Sequence, residues 1–155
     1  MGRKLVLPLL LEMDEKITYD FIDVEIPDFH PEFFGLWLKD VIDLEEKLLG
    51  SLSYIFCSDD YLLDMNKKFL KHDYYTDIIT FNYNEGDSLS GDMFISLDRI
   101  KDNAMVLGVS SFDELCRVMV HGVLHLIGYN DKTDKEQYLM SLKENEMLKL
   151  RHGFT

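Results

Sequence analysis

The sequence predicts an α+β fold: a single sheet of about four strands with helices packed around it. Three observations carry this. Short β-rich runs alternate with helical patterns in the first part of the chain, helical patterns alone fill the last part, and 155 residues suffice for one core. With 46% apolar and 29% charged residues the chain is of ordinary globular composition. Residues 1–155 are therefore expected to form a single domain, with 1–15 as a loose leader or edge segment. There the apolar run 5–11 follows Arg3 and Lys4, but Pro8 interrupts it and no small-residue cleavage site follows.

The elements follow in order. Residues 16–24 (KITYDFIDV) alternate and carry Ile, Tyr, Phe and Val, which predicts a strand. Pro31 opens a helix whose apolar stripe runs Phe34, Trp37, Leu38, Val41, Ile42, Leu44, Leu48 and Leu49, and Gly50 ends it. Residues 51–57 (SLSYIFC) read as a second strand. Ser58 is a natural cap for a helix over 59–70. Residues 77–83 (DIITFNY) and 92–96 (DMFIS) read as strands three and four. The Gly-, Ser-, Asn- and Asp-rich stretch 84–91 connects them as a candidate hairpin. Three helices complete the chain, over 98–107, 112–127 and 134–150. Ser111 with Glu114, and Thr133 with Glu136, have the spacing of a capping box.

The net charge is −13, with 14 acids against 5 bases in residues 1–60 and 15 against 11 in residues 61–155. Such a field does not attract nucleic acid, so an anionic substrate must be met locally, and the second part of the chain is the better place. Cys57 and Cys116 form no CxxC pair, which points to a reducing, cytoplasmic setting rather than a disulfide framework. No stretch approaches the roughly 20 apolar residues of a membrane span, and no membrane partner is expected.

The chemistry concentrates in HGVLHLIGYND, residues 121–131. Residues four apart share a helix face, so His121 and His125 aim two imidazoles at one point. Gly128 accepts the left-handed conformation that ends a helix and turns the chain back, and three residues later Asp131 brings a carboxylate. Two imidazoles and a carboxylate suit zinc and leave a fourth position open, as catalytic zinc requires. Composition alone gives this pattern a chance of about one in a thousand. A peptidase of the HExxH type places its glutamate base beside the first histidine. Gly122 stands there instead, which argues against peptide hydrolysis. A phosphodiester needs less help of that kind, because its own oxygens can bind the metal.

At these residues the chain resembles the YbeY family of bacterial endoribonucleases, whose signature is HGxLHLxGYxH. Met65-Asn66, residues 75–81 (YTDIITF), residues 91–96 (GDMFIS) and Ala104 fall in the family's order, so the resemblance spans about residues 17–150. It implies a zinc-dependent endoribonuclease acting on single-stranded RNA in small-subunit ribosomal RNA maturation. The small ribosomal subunit and its assembly factors would be the partners. His121, His125 and Asp131 would be at once the ligands of one zinc ion per chain and, through it, the catalytic residues. The general base stays open between water, the substrate phosphate and Asp131 in a second role. Two rivals are a non-catalytic ribosome assembly factor with a structural zinc, and a metallohydrolase of another bond.

Two departures from the family pattern stand out. Asp131 replaces the usual third histidine, which adds one negative charge to the site. Leu70 stands where the family carries an arginine, beside Lys71 and one turn after Lys67 and Lys68. Lysine lacks the forked donor geometry of arginine. Lys67, Lys68 and Lys71, with His72, are nonetheless the densest basic cluster, either an RNA-backbone contact or a solvated helix face. Asp77 and Asp92 read first as turn residues at strand ends, with hydrogen bonding near the site as the alternative. Tyr74, Tyr75 and Phe81 read first as core, with base stacking as the alternative. Cys57 and Cys116 read as inert core thiols, and His152 as a tail residue.

Overall fold

The computed structural model describes residues 16–26 and 29–151. The strands are β1 (Ile17–Phe21), β2 (Leu48–Cys57), β3 (Ile78–Asn82) and β4 (Ser88–Ser96). The helices are α1 (Pro31–Leu44), α2 (Asp59–Leu70), α3 (Leu97–Leu107), α4 (Ser111–Ile127) and α5 (Asp134–Leu148). The expected leader at 1–15, and His152, lie outside the described residues.

Hydroxyl caps start most of these helices. The side chains of Ser58, Ser96 and Thr133 each accept a backbone N–H of the first turn, and Thr133 completes a capping box with Glu136. In α4 the cap is Ser110, which accepts from the N–H of Asp113, rather than the expected Ser111 with Glu114. Glu114 is instead buried beside Arg117.

One boundary corrects the sequence reading. The first helix stops at Leu44, and Leu48 and Leu49 belong to β2, where they pair with Ser88 and Leu89 of β4. Glu46 breaks the helix at φ 58°, and Lys47 N–H returns to the carbonyl of Ile42. For the same reason β4 begins four residues earlier than expected, inside the connecting stretch.

The strand order is β1-β2-β4-β3. β1, β2 and β4 run parallel, and β3 lies antiparallel to β4 as the outer strand of the expected hairpin. Successive side chains of a strand face opposite sides. Met93 and Ile95 therefore join a large core with Trp37 and Val41 of α1 and Val120 and Val123 of α4. Phe94, between them, packs with Leu62 of α2 and Ile79 on the other face. Full burial of each such apolar side chain contributes about 1.5–3 kcal/mol. Two polar tips tie the layers: Trp37 Nε1–H donates to the Met147 carbonyl at 2.8 Å, and Tyr54 OH to that of Met119 at 3.0 Å. Both cysteines are buried and free. Among the described residues no helix is long and apolar enough to cross a membrane.

Candidate metal centre

Helix α4 lies against β3 and β4 with almost no clearance at Gly122. A Cβ there would sit 2.6 Å from Met93 Sδ and 3.0 Å from Ile78 Cδ1. The glycine lets the helix approach the sheet, and it points away from the site; a glutamate base would not fit at this position. His121, one residue earlier, and His125, one turn later, present their rings to a common cleft. Their centroids are 4.5 Å apart at 82°.

The helix ends at Gly128, with φ +123°, a conformation that side-chain-bearing residues rarely adopt. Its N–H and that of Tyr129 return to carbonyls of the last turn. Tyr129 OH donates to Glu45 Oε1 at 2.7 Å, and Lys143 reaches the same oxygen at 3.2 Å, so the turn is anchored to both α1 and α5. The chain then brings Asp131 back. Its Oδ2 lies 3.2 Å from Nε2 of His121 and 3.2 Å from Nε2 of His125.

These separations suit one ion. Donors about 2.0–2.1 Å from a tetrahedral zinc lie about 3.3 Å from one another. All three donor atoms fall within 4.8 Å of each other, and the group could hold a metal ion. The expected convergence of His121, His125 and Asp131 is thus present, with His125 29% and Asp131 38% exposed toward solvent.

The cleft has a volume of about 620 Å³, and its wall opposite α4 is the edge strand β3 with the segment before it. Asp77, Thr80, Asn82 and Lys132 line it along with the three candidate ligands. Lys67, Lys68 and Lys71 do not line it. Lys67 pairs with Asp73 at 3.4 Å, Lys68 lies over the Phe69 ring, and Lys71 closes α2 in the left-handed conformation, while their neighbour Leu70 reaches the cleft. Tyr74 and Tyr75 correct the core reading: they precede β3 rather than lying in it and are more than half exposed. Phe81 is partly buried against Phe69 and Phe94. Asp92 pairs with Phe81 in the β3–β4 ladder.

Beside the three candidate ligands is a smaller polar cavity of about 290 Å³, lined by Asp77, Glu114, Arg117, His121, Asp131 and Glu144. His121 Nδ1 meets Glu144 Oε2 at 2.6 Å, and Arg117 Nη1–H donates to Glu144 Oε1 at 3.0 Å. Burial depresses the His121 pKa. The Glu144 hydrogen bond, with the charges of Glu144, Asp131 and Asp77, outweighs that and leaves it raised. Burial also raises the carboxyls of Asp77 and Glu114 above the usual range, opposed by His121 in the first case and Arg117 in the second. Sequence reasoning missed Glu144, Arg117 and Lys132. A charge on the apolar stripe of α5, at Glu144 between Met140 and Met147, was the one visible signal.

Fold and site together define a class: α+β proteins in which a helix and the turn after it present two imidazoles and a carboxylate able to hold a metal ion. The model of one family, described as Endoribonuclease YbeY, matches residues 25–151. The chain is 49% identical over 135 residues to Endoribonuclease YbeY of Bacteroides thetaiotaomicron, covering 87% of this chain and 98% of that one. It is 53% identical over 116 residues to Endoribonuclease YbeY of Cytophaga hutchinsonii, covering 74% and 81%. The protein belongs to the YbeY family. The fold is shared with the solution structure of TM1509 from Thermotoga maritima, at a TM-score of 0.61 and 23% identity over 88% of this chain and 89% of that one.

Proposed function

We propose that this chain is a single-domain, cytoplasmic, zinc-dependent endoribonuclease that cuts single-stranded RNA during small-subunit ribosomal RNA maturation. The observation that carries this is the placement of the three donors on the wall of an open cleft, in a chain about half identical to proteins named Endoribonuclease YbeY. Among the described residues three side chains converge, not the four of a closed structural zinc site, which favours catalysis over a purely structural ion.

In this reading His121 and His125 bind through Nε2, and Asp131 through Oδ2. Bound zinc supplies Lewis acidity toward a phosphodiester oxygen. Lys132, beside Asp131 in the cleft, offsets the charge of a phosphate brought there. Lys67, Lys68 and Lys71 on the flank at the end of α2 meet the RNA backbone farther along. Gly122, pressed on Met93, leaves no room for a peptidase base. The two buried free thiols accord with a reducing compartment.

The test is turnover of a short single-stranded RNA by wild type and His121→Ala, with metal content measured in both. Cleavage and about one zinc per chain are expected in wild type, and loss of both in the variant. Undiminished cleavage by a metal-free variant would refute the assignment.

A further inference from the structure

Helix α5 buries Met140, Glu144 and Met147, spaced as a single stripe, so its one carboxylate there lies between two methionines. Glu144 is only 7% exposed. Removing a carboxylate from water is costly, and a whole buried ion pair can often be replaced by apolar residues of similar volume without loss. The group is also fully engaged. One oxygen takes the Arg117 guanidinium at 3.0 Å, and the other meets His121 Nδ1 at 2.6 Å. Arg117 is itself held by Asn145 at 3.2 Å and lies 3.9 Å from Glu114, whose buried Oε1 has no hydrogen-bond partner.

We propose that Glu144, fixed by Arg117, is a positioning residue that orients His121 for metal binding. A carboxylate on Nδ1 holds the proton at that nitrogen and presents the Nε2 lone pair to the ion, while stopping rotation of the ring. The geometry agrees, since the His121 Nε2 already faces Asp131 Oδ2 at 3.2 Å. Glu144 comes from α5, so the docking of that helix sets the aim of a ligand on α4. This rests on the metal-site reading above.

Metal affinity decides it, with Co²⁺ as the probe, read by chelator competition and by its visible absorption. Glu144→Met should weaken binding about 10–100-fold. It should also change the Co²⁺ spectrum, while the metal-free protein loses much less stability than affinity, because Arg117 keeps Asn145 and its exposed side. Glu144→Gln, whose amide oxygen can still accept from Nδ1–H although its NH2 cannot accept from Arg117, should recover part of the affinity. Wild-type affinity in Glu144→Met overturns the proposal. So does an affinity loss matched by an equal loss of metal-free stability and left unrescued by Gln, since that describes a merely structural ion pair. If Glu144→Met fails to fold, Glu144→Ala in the same assay decides: a shifted His121 imidazole ¹⁵N resonance with binding weaker than in Glu144→Gln supports the proposal, and wild-type values of both reject it. His125→Ala in the same assay separates the two readings: if it binds Co²⁺ like wild type, the metal site itself is wrong, whatever Glu144 shows.

Discussion

Asp131 supplies the negative charge that a third histidine would not. It is held within 3.2 Å of both imidazoles by a turn that Gly128 starts and Tyr129 anchors, so it has little freedom to leave. On the proposed reading, Asp131→Ala removes one of three protein ligands. It should cost more than the about 10–100-fold typical of residues that only orient ligands. Asp131→His should keep the metal, because imidazole is an equally good zinc donor and the reach of the turn is unchanged. Zinc titration of the two variants checks this, and equal affinity in Asp131→Ala and wild type would place the third ligand elsewhere.

Among the elements, the decisive contact is α4 against the β3–β4 hairpin. Gly122→Ala would drive a methyl to 2.6 Å from Met93 Sδ and 3.0 Å from Ile78 Cδ1. Part of that clash falls on a flexible thioether, so the helix should lift or Met93 should turn, at a cost of about 1–3 kcal/mol. Urea unfolding of the metal-free protein is the measurement, and an unchanged midpoint would mean that α4 is not seated this closely. The bulkier Gly122→Glu, which would write an HExxH sequence into the chain, is expected to unfold it rather than create a peptidase.

For the molecule as a whole, a net charge of −13 opposes RNA, so binding must rest on a local cationic contact. Lys132 lines the cleft and Lys67, Lys68 and Lys71 stand outside it. Affinity for a short single strand should therefore fall steeply with salt. Lys132→Ala should reduce the log–log slope by about 0.7, the value for one phosphate contact on a single strand. Loss of slope only in the Lys67, Lys68 and Lys71 variants, with Lys132→Ala behaving as wild type, would move the RNA path off the cleft and onto the end of α2.

What the sequence determined by itself is local. The convergence of His121, His125 and Asp131 was legible because helical spacing and a short glycine-initiated turn bring them together without help from the rest of the chain. Helix starts were legible at Ser58 and Thr133 because a hydroxyl and a nearby amide suffice. Tertiary structure alone decided whatever depends on partners far apart in the chain. Leu48 and Leu49 fit a helical stripe until Ser88 and Leu89 claim them for the sheet. Gly122 signalled a missing base, and only the closeness of Met93 shows what the glycine is for. Glu144 comes to His121 from 23 residues away, and Lys132 reaches the cleft where the more conspicuous lysines of α2 do not. Spacing governs contacts within one helix or turn; between elements, which side chains meet depends on the strand order and helix seating of the assembled core.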